Sequence, residues 1–267
     1  MSRPPVSGSG VVLTYGDRLA LAESNFEVPA GGLTVLIGPN GSGKSSVLAA
    51  VAGLHRLSAG TLTVLGDVPR AVRSRVALVP QSTRVNDALP VTVREVVTMG
   101  RYAAMGMVRP LGQADRDAVD EALARLDLES VSGLHLRELS GGQRQRVFVA
   151  QGLVQPRDLL LMDEPTTALD VVSIQEIHEV VAEEREAGRP VVVTTHDFAE
   201  ARRADHVILL ANRVVAQGAP ATVFTADNLA AAYGFDVGDL TDQVHLDDAA
   251  HRPAYPRHSH IEPRRPG

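Results

Sequence analysis

The stretch "LTVLIGPNGSGKSSVLAAV", residues 33–51, decides the fold of this chain. It passes from an apolar run through a glycine-rich turn into a helical pattern, and residues 38–45 fit the pattern G-x-x-x-x-G-K-[ST]. Glycines let the backbone curl so that several amide N–H groups face one phosphate, and the N-terminus of the next helix adds its positive end. The alternative is a glycine-rich turn without a ligand. Because strand, loop and helix follow one another here, we predict a phosphate-binding loop.

The predicted loop supplies the residues that we expect to bind ATP. The Lys44 ammonium should reach the β- and γ-phosphates, and the Ser45 hydroxyl should ligate Mg²⁺. Consecutive residues form the predicted ATP-binding segment: Gly38, Pro39, Asn40, Gly41, Ser42, Gly43, Lys44, Ser45 and Ser46.

Short apolar runs alternate with helical patterns along most of the chain, which indicates an α/β fold with a mostly parallel sheet covered on both faces. The predicted strands are 11–15, 33–38, 75–81, 158–164, 190–196 and 206–211. The predicted helices are 44–54, 115–128, 143–155, 173–187 and 197–204. The early strands, at 11–37 and 61–65, have no helix between them, which favours a small antiparallel piece attached to the sheet.

The domain boundaries follow from changes in pattern. A region of about 86–150 is mostly helical and lacks a strand, so we interpret it as a second lobe. From about residue 235 the periodicity is lost, and Pro, His and Asp accumulate. We therefore expect one globular domain over 1–235, which contains the predicted phosphate loop, and a flexible C-terminal tail over 236–267.

Polar residues end three of the predicted strands. "LLLMDEP" (159–165) ends in Asp163 and Glu164, "VVVTTHD" (191–197) reaches His196, and "VPQ" (79–81) ends in Gln81. Adjacent strand residues point in opposite directions, so we expect Asp163 near Mg²⁺ and Glu164 at the attacking water as general base. Each group alone also fits a structural role, but ligands of open α/β sheets bind at the carboxyl ends of the strands. His196 and Gln81 are therefore candidates for contacts with the γ-phosphate, the metal and the water.

The segment "RELSGGQRQR" (137–146) opens another helix. Ser140 and Gln143 have the spacing of a capping box, which explains these two residues structurally. Glycine inside a helix costs about 1 kcal/mol relative to alanine, so the pair Gly141 and Gly142 needs a further reason. We interpret the pair as a site where a group, such as an anion at the helix N-terminus, approaches the backbone closely.

Composition excludes several function classes. The net charge is −6 with no basic arm, which argues against nucleic acid as the partner. The chain has no cysteine, so disulfides and thiolate metal sites are excluded. We find no apolar run long enough to span a membrane and no apolar core of a signal peptide, and we expect a cytosolic protein that reaches a membrane through a partner.

Together these motifs resemble the nucleotide-binding subunit of an ABC transporter. The resemblance runs from about residue 10 to 235 and rests on a combination that other P-loop NTPases lack: "LSGGQ" (139–143), "GPNGSGKS", "LLLMDEP", "TTALD" (166–170) and "TTHD". It implies a P-loop NTPase core, a small antiparallel β subdomain and a helical lobe that carries the "LSGGQ" segment. It also implies ATP and Mg²⁺ as cofactors and an ATPase activity coupled to transport.

The resemblance assigns further roles residue by residue. Tyr15 matches the aromatic side chain that stacks on adenine, and Asp170 lies in the loop that connects the two sites of a dimer. In that head-to-tail dimer, one subunit's "LSGGQ" helix covers the γ-phosphate bound by the other subunit. The segment that acts across the dimer is Leu139, Ser140, Gly141, Gly142 and Gln143. Thr167 stands where the family more often has serine.

The resemblance also implies partners. With no membrane domain in the chain, we expect a second copy of it, a separate permease subunit and an extracytoplasmic substrate-binding protein as partners. The chain itself should lie on the cytoplasmic side of the membrane, bound to the permease. Separate subunits favour an importer. "PVTVREVVTMGRY" (90–102) is similar to ATPases of the manganese, zinc and iron uptake group, and a related pattern in siderophore and haem importers leaves that alternative open. A non-transport ABC ATPase, as in DNA repair, would carry a coiled-coil insertion or two modules.

The tail adds a second hint about metals. His245, His251, His258 and His260, with Asp247 and Asp248, are residue types that suit Zn²⁺ or Mn²⁺. Their spacing is irregular and matches no compact site, which favours a solvated tail without a metal role over weak metal sensing.

Overall fold

The computed structural model describes residues 3–81, 90–105, 110–167 and 169–234, so the predicted tail lies outside the described residues. The strands are β1 Val6–Tyr15, β2 Arg18–Val28, β3 Leu33–Ile37, β4 Ala59–Val64, β5 Val76–Val79, β6 Leu159–Asp163, β7 Val191–Thr195, β8 His206–Leu210 and β9 Val214–Gly218. The helices are α1 Lys44–Val51, α2 Val93–Met105, α3 Gln113–Arg125, α4 Gly141–Leu153, α5 Val171–Glu186, α6 Phe198–Ala201, α7 Pro220–Val223 and α8 Ala226–Tyr233.

A six-stranded sheet in the order β5-β6-β7-β3-β8-β9 forms the centre of the molecule. Its strands are parallel except β9, which pairs antiparallel with β8. The prediction of a mostly parallel sheet is confirmed. The predicted apolar runs fall on β3 and β5–β8, whereas β9 was not predicted because its residues are only half-buried and have no continuous apolar pattern.

A separate three-stranded antiparallel sheet has the order β2-β1-β4. The prediction of such a piece is confirmed for its existence, but it is wrong in taking in residues up to 37. Strand β3 instead lies between β7 and β8 in the large sheet. All five residues of β3 are buried, as expected for a strand covered on both faces.

Two hydrophobic clusters pack on opposite faces of the large sheet. Because successive strand residues point to opposite faces, Leu160 and Met162 of β6 belong to one cluster and Leu159 and Leu161 belong to the other. The first cluster also contains buried residues of α2, α3 and α4, such as Val97. The helical lobe therefore shares its core with one face of the sheet.

Helices α2 and α4 pack with their backbones close together. A Cβ at Gly100 of α2 would lie 2.2 Å from the carbonyl oxygen of Gln151 in α4, so only glycine fits there. Arg101 then pairs with the buried Asp115 of α3 at 2.6 Å and donates to the carbonyl oxygen of Val154 at 2.7 Å. These contacts fix α4, whose first residues carry the "LSGGQ" glycines. Within the described ranges, no helix is long and apolar enough to cross a membrane.

Candidate active site

The carboxyl edge of the large sheet brings the predicted site residues together. The loop 38–43 follows β3, Gln81 follows β5, Glu164 follows β6 and His196 follows β7. Since these strands are neighbours in the sheet, their ends meet at one place. A cleft of about 230 Å³ lies there, lined by Tyr15, Arg18, Ala20, Asn40, Gly41, Ser42, Gly43, Lys44, Ser45, Ser46, Gln81 and Glu164.

The glycines of the loop are required for two reasons, backbone conformation and close packing. Gly41 and Gly43 have φ angles of 80° and 103°, in the left-handed region that favours glycine. A Cβ at Gly38 would lie 2.1 Å from the carbonyl oxygen of Leu210, and a Cβ at Gly43 would lie 2.6 Å from that of Ala20. The loop is therefore shaped both by its own turns and by close packing against β2 and β8.

Lys44 is a buried cation with incomplete compensation. Its ammonium donates hydrogen bonds to the carbonyl oxygens of Gly38 at 2.8 Å and Pro39 at 3.3 Å, and Glu164 lies 3.9 Å away. Burial lowers the pKa of Lys44 below its usual range, and the carboxylates of Glu164 and Asp163 offset this only partly. An anion in the cleft would accept a further hydrogen bond from this ammonium and compensate its charge.

Ser45, Asp163 and Thr194 form a hydrogen-bonded row beside Lys44. The Ser45 hydroxyl donates to Asp163 Oδ1 at 3.1 Å, and the Thr194 hydroxyl donates to the same oxygen at 2.6 Å. Thr194 belongs to β7, so it fixes the Asp163 carboxylate from the neighbouring strand. The row presents hydroxyl and carboxylate oxygens at the mouth of the phosphate loop.

Glu164 lies just beyond the end of β6. Its φ angle is 45°, a conformation that costs a non-glycine residue about 1 kcal/mol or more. Its amide donates to Thr194 at both the hydroxyl (2.9 Å) and the carbonyl oxygen (3.2 Å), which holds this conformation. Asp163 and Glu164 were expected to point in opposite directions, which is wrong. Both carboxylates face the loop, Asp163 at Ser45 and Glu164 at Lys44, because strand alternation ends at Asp163.

Three polar side chains surround the Glu164 carboxylate. Gln81 donates to its Oε2 at 2.8 Å, Thr167 donates to the same oxygen at 3.3 Å, and His196 Nδ1 lies 3.7 Å from it. His196 is 59% exposed and lies outside the residues that line the cleft, so its contact with the rest of the site is made through Glu164. The structure thus brings Lys44, Gln81 and His196 around one carboxylate.

Tyr15 lies at the mouth of the cleft and is half exposed. One face of its ring stacks on His55, with ring centroids 4.2 Å apart and an interplanar angle of 22°. His55 Nε2 is 3.0 Å from the carbonyl oxygen of Thr14, which fixes the imidazole in place. Sequence reasoning missed His55, because no motif marks it and only the fold brings it beneath Tyr15.

The "LSGGQ" segment does not line this cleft: Leu139 to Gln143 are absent from the described residues around it. The predicted capping box is confirmed, since Ser140 accepts from the amide of Gln143 at 3.2 Å and Gln143 Oε1 accepts from the amide of Ser140 at 3.0 Å. Gly141 is exposed and its Cβ position faces open space.

Gly142 is glycine for an internal reason. A Cβ on it would lie 2.5 Å from Asp170 Oδ2 and from Ser173 Oγ of the same chain. Asp170 caps α5 by accepting from the amide and hydroxyl of Ser173 at 2.9 and 3.0 Å, and these hydrogen bonds lower the pKa of Asp170. Gly142 therefore has an internal reason to lack a side chain, Gly141 has none among the described residues, and the approach of an external group to this pair stays a prediction.

Comparison with known proteins identifies the family. Residues 21–167 match the family model described as ABC transporter. The chain belongs to the ABC transporter family. It is 37% identical over 238 residues to the manganese transport system ATP-binding protein MntA of Synechocystis sp., covering 88% of this chain and 92% of that protein. It is 37% identical over 225 residues to the zinc transport system ATP-binding protein TroB of Treponema pallidum, covering 84% and 85%.

A solved structure of the ABC family supports the same assignment. The ATP-binding cassette MJ0796, solved as a dimer in a post-hydrolysis state with ADP and Pi, matches with a TM-score of 0.70 and 27% identity, over 80% of this chain and 98% of that chain. The predicted fold and the predicted ABC ATPase class are confirmed by these relatives. This ABC subunit is thus an ATP-binding, ATP-hydrolysing protein.

Sequence reasoning missed two further residues of this ABC subunit that contact its site. Thr194 was not predicted as a site residue, although its hydroxyl and carbonyl oxygen hold both Asp163 and Glu164. Asn212 lies in the β8–β9 connection and contacts the phosphate loop. A threonine near the end of a strand gives only a weak signal. Asn212 gives none, because its partners in the phosphate loop are about 170 residues earlier in the chain.

Proposed function

We propose that this chain hydrolyses ATP, with Mg²⁺, in the cleft at the carboxyl edge of the sheet, and that it thereby drives import of a transition-metal ion, manganese or zinc. The observation that carries the ATPase site is the buried, incompletely compensated Lys44 beside Ser45, Asp163 and Glu164. The assignment of a metal substrate rests on similar proteins that are named as manganese and zinc transport proteins.

The donors at the mouth of the loop fit Mg²⁺. Magnesium takes one or two carboxylates together with hydroxyl, water and phosphate oxygens. Ser45 and Asp163 supply such a pair, with Gln81 nearby as a third oxygen donor. Among the described residues, no group of three or more His, Asp or Glu side chains could hold a metal by itself. Ser45 and Asp163 therefore suit a Mg²⁺ ion that binds together with ATP. When bound, the ion would neutralise charge on the β- and γ-phosphate oxygens.

The remaining steps belong to the side chains. Lys44 and the loop amides bind the β- and γ-phosphates and stabilise the charge that develops on them. Glu164 orients a water and accepts its proton as the water oxygen bonds to the γ-phosphorus and the bond to the β–γ bridging oxygen breaks. Gln81 and Thr167 hold the Glu164 carboxylate in position, and the exposed His196 contacts the γ-phosphate.

A second copy of the chain would complete the site. Ser140 and the open backbone of Gly141 lie away from the cleft of their own chain, so they are available to a nucleotide held by a partner. Gly142, packed on Asp170, would link this surface to the loop that precedes α5. A two-fold dimer makes both sites equivalent. The similar MJ0796 cassette was solved as a dimer, which supports this proposal.

The transport role requires further subunits. We propose a separate permease that anchors the chain to the cytoplasmic face of the membrane, and an extracytoplasmic binding protein that delivers the metal.

Tyr15 and the stacked His55 would bind the adenine ring at the open end of the cleft.

The first experiment substitutes Glu164→Gln, which removes the base but keeps the shape of the side chain. We expect ATP hydrolysis to fall at least 100-fold while ATP still binds and an ATP-bound dimer accumulates on a sizing column. Glu179→Gln, on the exposed side of α5, is the matched control and should leave activity unchanged. Normal hydrolysis by the Glu164→Gln variant would remove the assignment of the base.

The second experiment tests the substrate. The chain is reconstituted with its permease in vesicles, and ATP hydrolysis is measured with the binding protein loaded with Mn²⁺, Zn²⁺, Fe³⁺ or a ferric chelate. Stimulation by the Mn²⁺ or Zn²⁺ form supports the proposal. Stimulation only by the ferric chelate would move the assignment to the siderophore and haem group, and no stimulation, with basal hydrolysis intact, would remove the metal assignment.

A further inference from the structure

Asn212 connects the β8–β9 hairpin to the phosphate loop by two hydrogen bonds. Its side-chain Nδ2 donates to the carbonyl oxygen of Gly41 at 3.0 Å, and its backbone amide donates to the carbonyl oxygen of Ser42 at 3.0 Å. Its own carbonyl oxygen accepts from the amide of Ala22 in β2 at 2.6 Å. One residue thus joins the phosphate loop, the hairpin and the small sheet.

The conformation of Asn212 is one that few residues adopt. Its φ angle is 52°, in the left-handed region, where asparagine and glycine are the usual residues. Asparagine serves both needs at this position, because it tolerates the backbone conformation and supplies an amide donor. Glycine would supply only the first.

The two hydrogen bonds fix the direction of peptide groups in the loop. In a planar trans peptide the carbonyl and the following N–H point in opposite directions. Since Asn212 holds the Ser42 carbonyl towards the hairpin, the Gly43 N–H points away from the hairpin. The Gly41 carbonyl directs the Ser42 N–H in the same way, and this N–H donates to the carbonyl oxygen of Pro39 at 3.1 Å, which closes the turn of the loop. Ser42 and Gly43 both line the cleft.

The hairpin also supports the loop from behind. A Cβ at Gly38 would lie 2.1 Å from the carbonyl oxygen of Leu210, two residues before Asn212, so the start of the loop touches the end of β8. Contacts at Gly38, Gly41 and Ser42 leave the loop little room to change shape on that side. A loop already ordered before binding avoids the entropy cost of ordering it when the ligand arrives.

We propose that Asn212 is a positioning residue that holds the phosphate loop in its phosphate-binding shape before the nucleotide enters. The inference rests on the proposed ATP site and deepens it. Asn212 itself is exposed and lies outside the residues that line the cleft. It acts through the direction of the loop amides.

The test compares two substitutions at this position. Asn212→Gly keeps the backbone conformation and the amide that reaches Ser42, and loses only the side-chain donor. We expect the dissociation constant for ATP to rise about three- to fivefold, as for the loss of one solvent-accessible hydrogen bond. Asn212→Asp keeps the shape but turns an acceptor and a negative charge towards the Gly41 carbonyl and the phosphates, and we expect a rise of about tenfold or more.

The readout separates positioning from loss of structure. Affinities for ATP and for a fluorescent adenosine analogue without phosphates are measured by titration on the full chain, together with the melting temperature of the nucleotide-free protein. Positioning predicts weaker binding of ATP with unchanged binding of the adenosine analogue. Asn228→Ala is the matched control, because Asn228 Nδ2 also donates to a carbonyl oxygen, that of Val223 at 2.9 Å, far from the cleft.

Wild-type ATP affinity in the Asn212→Gly variant would overturn the inference, as would an equal loss of affinity for the adenosine analogue or an equal loss in the Asn228→Ala control. Failure of the proposed function is distinguishable. In that case the unsubstituted chain does not bind ATP, and the inference fails together with the function on which it rests.

Discussion

Two buried charged side chains, at opposite edges of the same sheet, differ in how far their charges are compensated by partners. Lys44, at the carboxyl edge, is 5% exposed and has two carbonyl oxygens as hydrogen-bond acceptors, with its nearest carboxylate at 3.9 Å. Glu184, at the amino edge, is fully buried and is surrounded by three arginines, Arg125, Arg157 and Arg189. Arg157 reaches both of its oxygens, at 2.5 and 3.1 Å, and Arg189 does the same, at 3.1 and 2.6 Å.

The pKa shifts express this difference. Burial lowers the pKa of Lys44, so its charge is incompletely compensated. Burial also raises the pKa of Glu184, but hydrogen bonds from Arg189 and Arg157, with their charges, outweigh it and lower the pKa from 4.5 to about 2. A charge compensated within the chain supports the fold, whereas a charge left short of partners is suited to a ligand. The Glu184 cluster is therefore structural, whereas the environment of Lys44 supports the proposed binding site.

The largest expected effect comes from Lys44→Met, which removes the charge and keeps the aliphatic stem. Hydrolysis should fall at least 100-fold because an electrostatic stabiliser of the phosphates is lost. The melting temperature of the nucleotide-free protein should stay equal or rise, because a poorly compensated buried cation is gone. Calorimetry and a phosphate-release assay measure the two quantities. A marked loss of thermal stability would show that the Lys44 charge is well compensated within the chain.

The next effect concerns stability and comes from Glu184→Gln. Removing one partner of a buried charge cluster leaves the arginines short of a counter-charge and should cost about 3 kcal/mol at neutral pH. That corresponds to a melting temperature lowered by roughly 10 °C. Glu183→Gln is the matched control, since Glu183 is adjacent but 54% exposed, and exposed pairs contribute less than about 1 kcal/mol. Equal losses in the two variants would remove the special role of the buried cluster.

The same cluster should give an acid-dependent loss of stability. The folded-state pKa of Glu184, about 2, lies below its ordinary 4.5, so its contribution is present above pH 4.5 and is lost as the pH falls towards 2. The difference in pKa amounts to roughly 3 kcal/mol at 1.36 kcal/mol per unit. Urea unfolding between pH 5 and 2.5 should show a steeper decline for the wild-type chain than for Glu184→Gln. Parallel curves would argue against this linkage.

A smaller effect is expected from Thr194→Val, at the binding edge. The substitution keeps the branched strand residue but removes the hydroxyl that holds Asp163 and the Glu164 amide. We expect kcat to fall about tenfold with KM changed less than about threefold, because Thr194 orients the reacting groups and does not bind the base or ribose of the nucleotide. Thr34→Val, a buried threonine on β3, serves as the control. A change confined to KM would contradict a positioning role.

Much of the carboxyl edge was predictable because short motifs carry their own geometry. The glycines at 41 and 43 indicate positive φ angles, the adjacent lysine and serine indicate phosphate and metal contacts, and the polar strand ends indicate a shared edge. The directions of Asp163 and Glu164 could not be predicted in the same way. Periodicity assumes that a strand continues, and here it ends one residue earlier than the motif suggests.

The cluster of Glu184 and its three arginines could not be predicted from sequence motifs. Its members come from α3, α5 and the segments before β6 and β7, and no spacing rule connects them. The exact cause of the "LSGGQ" glycine pair was equally hidden, because Gly142 is explained by Asp170 and Ser173, and these residues approach only when α4 and α5 pack together.

By itself, the sequence determined the fold class, the family, the glycine-rich loop and the sheet edge at which the candidate residues meet, because each depends on local patterns of glycine, apolar residues and strand-end polar groups. The tertiary structure alone decided how the buried charges are compensated, which conformation Glu164 adopts and which residues support the loop. His55, Thr194 and Asn212 take part through contacts between distant segments. Such contacts depend on the register of the sheet and the packing of its helices, which single-residue patterns do not encode.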